Sequence, residues 1–390
     1  MEEVTTRTLE AAGMTPARAY AALRAKSPGR TSFLIEMTAP DERGEQRSTI
    51  GFLTKRESAY PPASDVLREL FATASAMPAA EAHAELGPAC FRDVLALLAF
   101  DAVLPALGVA PWPDQPFVGR EMRDVASVVF DHAAGTITIV ATNPNVVERC
   151  ARVIASAPEL PDLPPAGGTK PEYMTEQPPD AAFVKQLARA ERRLALGGVE
   201  RLLLGRTFKS QTRGADLFDV YRALRESAPA RYAFFAEMPV SPMFPTFAVA
   251  ATGDGVLRVT AAAGEDAVRK ELLALFPVDA TSGAPAKEAL GALRDLDVGA
   301  RGMRGGGLAR VRPGGHIEVI RSEVIVTFEE EQFQAHGVAE VVPGRDAQAH
   351  TAAAEQEALA ALTAIRRAQD AALAREAAAA AAEQAATPSE

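Results

Sequence analysis

The chain has 390 residues, of which 48% are hydrophobic and 24% charged, and its formal net charge is −10. These fractions are typical of a globular protein, and the length suits one large domain or two ordinary ones. The acidic balance argues against nucleic acid and anionic membrane surfaces as partners. A small anion can still bind, because a pocket sets its own local field.

Two further features of the sequence bear on the cellular location of the protein and on whether it binds a metal or cofactor. No apolar run approaches the roughly 20 residues that cross a bilayer, and the N-terminus is acidic and polar, unlike a secretory signal. Cys90 and Cys150 lack metal-ligand spacing, and the five histidines are scattered along the chain. We therefore expect a cytoplasmic protein with two buried thiols and with no bound metal or other cofactor.

Hydrophobic periodicity and turn residues predict alternating strands and helices in the first 160 residues. The predicted helices span 15–25, 64–84 and 91–107, and the predicted strands span 32–37, 48–53, 125–130 and 136–141. The last two strands form a predicted β-hairpin, because the short connection between them ends in Gly135.

A proline-rich segment follows this first region. Residues 155–182 contain Pro-Pro and Gly-Gly pairs, which make the segment the best linker of the chain. The predicted organisation is an N-terminal region over 1–160, a Pro/Gly-rich linker over 161–180, a second region over 181–368 and an Ala-rich helical tail over 369–390.

The second region repeats the mixed pattern of helices and strands. Predicted helices span 179–196, 217–227, 265–276 and 346–386, and predicted strands span 199–209, 232–237, 247–251, 256–262, 318–328 and 333–342. The last two strands form a second predicted hairpin around an acidic turn. Short strands, hairpin turns and helices in alternation predict an α+β fold.

One stretch of the second region has a specific signature. Residues 276–306 read FPVDATSGAPAKEALGALRDLDVGARGMRGG. This stretch resembles the pattern FP-x-x-T-x-SGAPK, helix, RGxYGG of the chorismate-using enzymes typified by anthranilate synthase component I. The positions that agree without a gap are Phe276, Pro277, Ser282, Gly283, Ala284, Pro285, Arg301, Gly302, Gly305 and Gly306. Parts of 15–48, 125–141 and 183–237 also resemble this family, which includes aminodeoxychorismate and isochorismate synthases.

The resemblance implies a fold of two large antiparallel sheets packed as a β-sandwich with helices outside, truncated in the catalytic half. It also implies chorismate chemistry, in which acidic side chains hold a Mg²⁺ ion on one carboxylate while arginine and backbone amides hold the other. Family members often work with a glutamine amidotransferase subunit. Such a subunit is therefore a candidate partner, as is a second copy of this chain in a homo-oligomer.

Several residues match the family's ligand site. Arg321, in the sequence VIRS, matches the arginine of the family's AIRT strand, and it is either a carboxylate ligand or a strand arginine in a salt bridge. His336 replaces a glycine of the QAGAG loop, and either a catalytic or a structural role is open to it. The other candidate ligand-binding residues are Ser282, Gly283, Gly305, Gly306, Gln334, Ala335 and Gly337.

Other parts of the family's site are replaced in this chain. The catalytic threonine falls on Ala280. Thr281 lies one place further, where a one-residue shift along a strand turns a side chain to the opposite face. The tyrosine near the reacting ring falls on Arg310. In the last helix, the Mg²⁺-binding glutamate falls on Ala353 and the following lysine falls on Glu357, which reverses the charge.

The largest departure is an internal deletion after about residue 264. At this point the family has a long block with AEH and DLxRND motifs, which supplies Mg²⁺ carboxylates and a catalytic histidine. This chain instead reaches Phe276 within a dozen residues. In the N-terminal region, Met37 replaces the serine of the strand that binds tryptophan in regulated members of the family.

These departures leave two hypotheses. In the first, the chain is a catalytically disabled homologue that binds a chorismate-like small anion or a partner. In the second, it is a divergent active enzyme of the anthranilate or aminodeoxychorismate synthase type, which would need Mg²⁺. The sequence favours the first hypothesis, because the parts of such a site act together and several are lost at once.

Overall fold

The computed structural model describes residues 4–28, 30–42, 44–53, 58–59, 65–77, 93–110, 112, 119–238, 247–276, 278–296, 302–329 and 331–386. The predictions that concern Cys90, Pro277 and Arg301 lie outside the described residues.

Most strands belong to one large antiparallel sheet. In pairing order its strands are β1 (Thr5–Glu10), β7 (Thr136–Ala141), β6 (Gly119–Asp131), β3 (Arg47–Leu53), β2 (Ser32–Met37), β10 (Tyr232–Met238), β11 (Phe247–Gly253), β16 (Val324–Glu329), β17 (Gln332–Glu340), β9 (Arg201–Gln211) and β8 (Met174–Gln177). Because β2 pairs with β10, the sheet continues across the two regions predicted from the sequence.

A smaller antiparallel sheet packs against the large one. Its strands are β12 (Val256–Thr260), β15 (His316–Arg321), β14 (Gly307–Arg312), β5 (Val94–Leu98), the first part of β6, and β4 (Ser58–Ala59). Strand β6 pairs with β5 through its first residues and with β3 through its last, so it belongs to both sheets. The short β13 (Gly283–Ala284) pairs with the start of β9.

Helices cover the outer faces of both sheets. They are α1 (Pro16–Ala25), α2 (Val66–Ala76), α3 (Pro144–Ala155), α4 (Asp180–Ala195), α5 (Leu217–Ser227), α6 (Glu265–Leu275), α7 (Val278–Thr281), α8 (Ala286–Asp295) and α9 (Ala347–Ala386). One outer core lies under α1, α3, α5 and α9, and another lies under α2, α4, α6 and α8. The predicted β-sandwich with helices outside is confirmed. Within the described ranges, no helix has both the length and the apolarity needed to span a membrane.

Two predicted elements differ in the structure. The apolar run predicted as a helix over 91–107 forms β5 and two short 3₁₀ helices, because periodicity alone cannot separate a fully buried strand from a buried helix. The single strand predicted over 318–328 divides into β15 and β16, since the chain passes from the smaller sheet to the larger one at Ser322. There the buried Ser322 hydroxyl donates to the carbonyls of Gly306 (2.9 Å) and Met303 (3.3 Å).

The segment predicted as a linker lies along α9. The Gly167 N–H donates to the Asp370 carboxylate (2.8 Å), and Arg367 Nε donates to the Pro164 carbonyl (3.1 Å). Helix α9 packs into the outer core over most of its length. Its side chains are exposed from Leu373 to the last described residues, because few apolar residues remain there to bury.

Candidate functional site

The space between the two sheets is apolar at one end and polar at the other. At the apolar end, Phe33, Phe234 and Leu308 belong to a core of buried side chains that both sheets supply. At the other end, β16, β17 and β9 present polar side chains to the same space. We call these two parts the apolar end and the polar end.

The register of β17 decides which of its residues face the polar end. Phe333 and Ala335 belong to the outer core that includes α9. Because neighbouring residues of a strand point to opposite faces, Gln334, His336 and Val338 point into the space between the sheets. Of the residues predicted from this strand, Gln334 therefore reaches the polar end, whereas Ala335 lies on the opposite face.

Gly337 also lies on the outer face of β17. A Cβ atom at this position would meet the Ala354 carbonyl oxygen at 1.8 Å. Only glycine therefore allows β17 to approach α9 this closely, and the structure gives Gly337 a packing role between strand and helix.

A row of polar side chains crosses the strands at the polar end. Lys209 of β9 lies opposite Gln334 of β17, and Gln334 lies opposite Thr327 of β16. Among the described residues, these three side chains have no hydrogen-bond or ion-pair partner. Lys209 and Gln334 are half-buried, and Thr175 of the edge strand β8, which lies opposite Lys209, is exposed. The row therefore offers unused hydrogen-bonding groups beside the edge strand of the sheet, where exposure to solvent increases.

His336 lies beside this row. Its Nδ1 is 3.2 Å from the Thr207 hydroxyl on the neighbouring strand. Burial, and secondarily the positive charges of Arg304 and Lys209, lower the pKa of His336 to about 4. The imidazole is therefore neutral at pH 7, and the two cations lie close enough to act on it.

Arg304 and Glu357 form an ion pair at the polar end. Arg304 Nη2 donates to the Glu357 carboxylate at 2.9 Å, and the backbone N–H of Val338 donates to the same carboxylate. Arg304 is buried, and its Nη1 has no hydrogen-bond partner among the described residues. Glu357 itself is open to solvent. The pair joins the turn before β14 to helix α9 and to β17.

The predicted residues of the SGAP and GG motifs form close backbone contacts at the start of β9 and the end of β5. A Cβ atom on Gly283, whose φ is +128°, would meet the Arg201 carbonyl oxygen at 2.0 Å. One on Gly306 would meet the Leu98 carbonyl oxygen at 2.0 Å. Ser282 is fully buried, and its hydroxyl has no partner within the described part of the chain. These residues set the packing of the strands, and a ligand-binding role for them stays a prediction.

The threonine position of the family lies beside this group. Residues 278–281 form the short helix α7 and not a strand, so a one-residue shift there does not simply exchange two faces. Ala280 is exposed, whereas Thr281 is buried with its Cγ2 2.8 Å from the position that a Cβ on Gly305 would take. Glycine at 305, with φ of +70°, is therefore required by the packing of Thr281.

Arg321 lies at the end of β15. Its Nη2 donates to the Glu323 carboxylate at 2.6 Å, and its guanidinium lies 3.2 Å from the position that a Cβ on Gly255 would take. The sequence left two interpretations of Arg321, a carboxylate ligand or a strand arginine in a salt bridge. The structure contains the salt bridge. A role for Arg321 in ligand binding stays a prediction.

The other replaced positions also have structural partners. Arg310 donates to the carboxylate of Asp93, and both residues are buried. Ala353 packs against the outer core. Glu355, two residues after Ala353 on the same helix, forms an ion pair with Lys170 of the segment that lies along α9.

On the strand that binds tryptophan in regulated members of the family, this chain carries a side chain that is packed in the core. Met37, Tyr232 and Phe234 are all buried in the apolar end between the sheets. The residues that would line such a pocket therefore pack against one another.

The Mg²⁺ ion that the family resemblance implies needs a set of acidic ligands. Within the described ranges, no group of three or more His, Cys, Asp or Glu side chains could hold a metal ion. At the polar end, the carboxylate of Glu357 is already bound by Arg304 and by the backbone of Val338. The described residues therefore do not fit a Mg²⁺ ion.

Sequence reasoning missed Lys209, Thr327 and Arg304. Lys209 and Thr327 belong to no motif, and only the pairing of β16, β17 and β9 places them beside Gln334. Arg304 could have been found, because the family pattern RGxYGG predicts a tyrosine at its position and the resemblance predicts a lysine at the position of Glu357. Two such changes, which introduce opposite charges, indicate a new ion pair.

Comparisons with known proteins agree with this architecture. The model of the chorismate binding enzyme family matches residues 39–244, a range that ends before the 276–306 motif. The fold is similar to MenF, the menaquinone-specific isochorismate synthase from Escherichia coli, with a TM-score of 0.59 and 12% identity over 93% of this chain and 94% of that one. It is also similar to anthranilate synthase component I from Streptococcus pneumoniae, with a TM-score of 0.55 and 14% identity over 90% and 92% of the two chains. A search of curated protein sequences gives no match.

Proposed function

Because the chain belongs to the chorismate binding enzyme family, we propose that it is a catalytically disabled member that binds a small chorismate-like carboxylic acid at the polar end. The observation that carries this proposal is the engagement of Glu357 by Arg304 and by the Val338 N–H. This carboxylate is committed to the protein, so it is a poor ligand for a metal ion. Within the described part of the chain, the side chains of Lys209, Gln334 and Thr327 nevertheless have no partner and are available to a ligand.

The proton-transfer capacity of the polar end also supports the proposal. A general acid or base works best when its pKa lies near the operating pH. The pKa of His336 is lowered to about 4, mainly by burial, so the imidazole is a weak base at pH 7 and carries no proton to donate as an imidazolium. His336 is therefore better suited to accept or donate one hydrogen bond than to move protons.

A turnover assay tests the loss of activity. Purified protein is incubated with chorismate, Mg²⁺ and ammonium, and both chorismate loss and aromatic product are followed. We expect no change above a protein-free control. Turnover that disappears in Arg321→Ala would instead establish a divergent Mg²⁺-dependent enzyme of the anthranilate or aminodeoxychorismate synthase type.

A thermal-shift series tests the binding function. We expect chorismate, isochorismate or anthranilate to raise the melting temperature, because a ligand that binds the folded state alone stabilises it. Tryptophan is expected to give no shift, since Met37, Tyr232 and Phe234 fill the corresponding space. The absence of a shift with all three carboxylic acids would contradict the proposal.

The family membership also suggests macromolecular partners. We propose a glutamine amidotransferase subunit or a second copy of this chain in the cytoplasm as the partner. Light scattering of the purified chain, alone and with a candidate amidotransferase from the same cell, distinguishes a monomer, a homo-oligomer and a mixed complex.

A further inference from the structure

Among the described residues of the polar end, one positive charge, that of Lys209, has no acidic partner. Arg304 is neutralised by Glu357 at 2.9 Å. His336 is neutral at pH 7, because its pKa is lowered. Within the described ranges, Lys209 has no acidic partner. A single anionic group on a ligand would therefore balance the charge of this region.

The groups beside Lys209 suit a carboxylate. The Gln334 amide and the Thr327 hydroxyl continue the row from Lys209 across β17 and β16. Both side chains can donate hydrogen bonds, and an ammonium group strengthens binding of an anionic acceptor. Neither uses this capacity within the described protein.

The row ends at an apolar surface. Beyond Thr327, the next residue across the sheet is Val249 of β11, which belongs to the apolar end together with Ile325 and Met303. Met303 directly precedes Arg304 in the chain. Because Val249, Ile325 and Met303 are themselves buried, the rest of a ligand whose carboxylate lies at Lys209 would meet only the margin of this core, which suits an apolar ring better than a polar one.

Among the described residues of this region, a second carboxylate on the ligand would find no unpaired cation. The other two cations are already paired: Arg304 binds Glu357, and Arg321, at the end of β15, binds Glu323. The described acidic residues also form no metal-binding group that could neutralise it. An unpaired charge in a half-buried site is costly.

From these contacts we infer that the ligand is a small ring compound with a single carboxylate, held at that carboxylate by Lys209, Gln334 and Thr327. The inference rests on the proposed function and narrows it from chorismate-like acids in general to monocarboxylates. Under this inference, Lys209 determines how many carboxylates the bound ligand carries.

Benzoate and isophthalate provide a matched pair of probes, because they differ by one carboxylate on the same ring. Their affinities for the full chain, with chorismate as a third probe, are measured by isothermal titration calorimetry in buffer containing EDTA. We expect benzoate to bind at least about tenfold more tightly than isophthalate, which corresponds to about 1.4 kcal/mol.

Variants at Lys209 test the assignment of the carboxylate. Lys209→Gln is expected to weaken benzoate binding by about tenfold or more, whereas Lys209→Arg keeps the charge and most of the affinity. Lys270→Gln, which removes an exposed lysine of α6, is the control and should bind as the original protein does. Thermal unfolding of each variant confirms that it folds.

The outcomes separate this inference from the proposed function. Unchanged benzoate affinity in Lys209→Gln, or tighter binding of isophthalate or chorismate than of benzoate, would overturn the inference and leave the proposed function intact. If neither benzoate nor chorismate binds at millimolar concentration, both are overturned.

Discussion

The apolar end and the polar end lie between the same two sheets but use their side chains in opposite ways. At the apolar end, Phe33, Phe234 and Leu308 are almost completely buried and need no polar partner. At the polar end, Lys209 and Gln334 are half-buried and have no partner in the described protein. Burial of apolar surface stabilises a fold, whereas half-buried polar groups without partners reduce stability. Such local cost is expected where a protein binds a ligand.

The largest expected effect is a difference in stability between variants at the two ends. Phe234→Ala removes a fully buried ring from the apolar end and is expected to reduce the free energy of unfolding by about 3–5 kcal/mol. Gln334→Ala, at the polar end, is the matched control and should change it by less than about 0.5 kcal/mol. Urea unfolding followed by circular dichroism measures both. Equal losses would show that the polar end contributes to stability as a core does.

A pH series tests the environment of His336. Its folded-state pKa of about 4 lies below the ordinary value of 6.5, so the unfolded chain takes up this proton first as the pH falls. The stabilisation is complete above about pH 6.5 and is lost between that pH and about pH 4. It amounts to roughly 2 kcal/mol, after allowance for partial exposure.

The comparison that isolates this effect uses His336→Gln. The pKa of His132 is also lowered by burial and contributes with the same sign, so only the difference between the two proteins is assigned to His336. Unfolding free energies are measured at pH 7 and pH 5. A drop of the same size in both proteins would mean that His336 is not held neutral by its burial and by the charges of Arg304 and Lys209.

The smallest expected effect concerns the ion pair of the polar end. Glu357→Ala leaves the buried Arg304 and the Val338 N–H without their acceptor, and it is expected to reduce the free energy of unfolding by about 1 kcal/mol. Glu355→Ala, on the same helix, removes only the pairing with Lys170 and should cost less than about 0.5 kcal/mol. Similar values for the two variants would show that the Arg304 pair is not a structural link.

Much of the fold could be predicted from the sequence, and less of the site. The motif 276–306 indicated the family and the β-sandwich, and short apolar runs bounded by turn residues located β2, β10 and the hairpin of β6 and β7. The run at 91–107 was assigned to the wrong element, because β5 is buried on both faces and its periodicity is lost. Strand β14 and helix α3 were not predicted.

For the site, the motif residues proved less informative than their neighbours across the strands. Gly283, Gly306 and Gly337 are fixed by contacts with backbone carbonyls, a requirement that a sequence pattern cannot separate from close approach of a ligand. Gln334 was selected by its motif and does face the polar end. Its neighbour Lys209 could not be selected, since a single lysine in a strand carries no signal by itself.

The sequence by itself determined the family and the α+β sandwich, because glycine, proline and periodic apolar positions impose local constraints that can be read in order along the chain. Only the tertiary structure decided which side chains share the polar end. Lys209 lies more than a hundred residues before the other two in the chain. Thr327 and Gln334 belong to the two strands of one hairpin. Their proximity depends on strand register, which follows from the packing of the whole sheet.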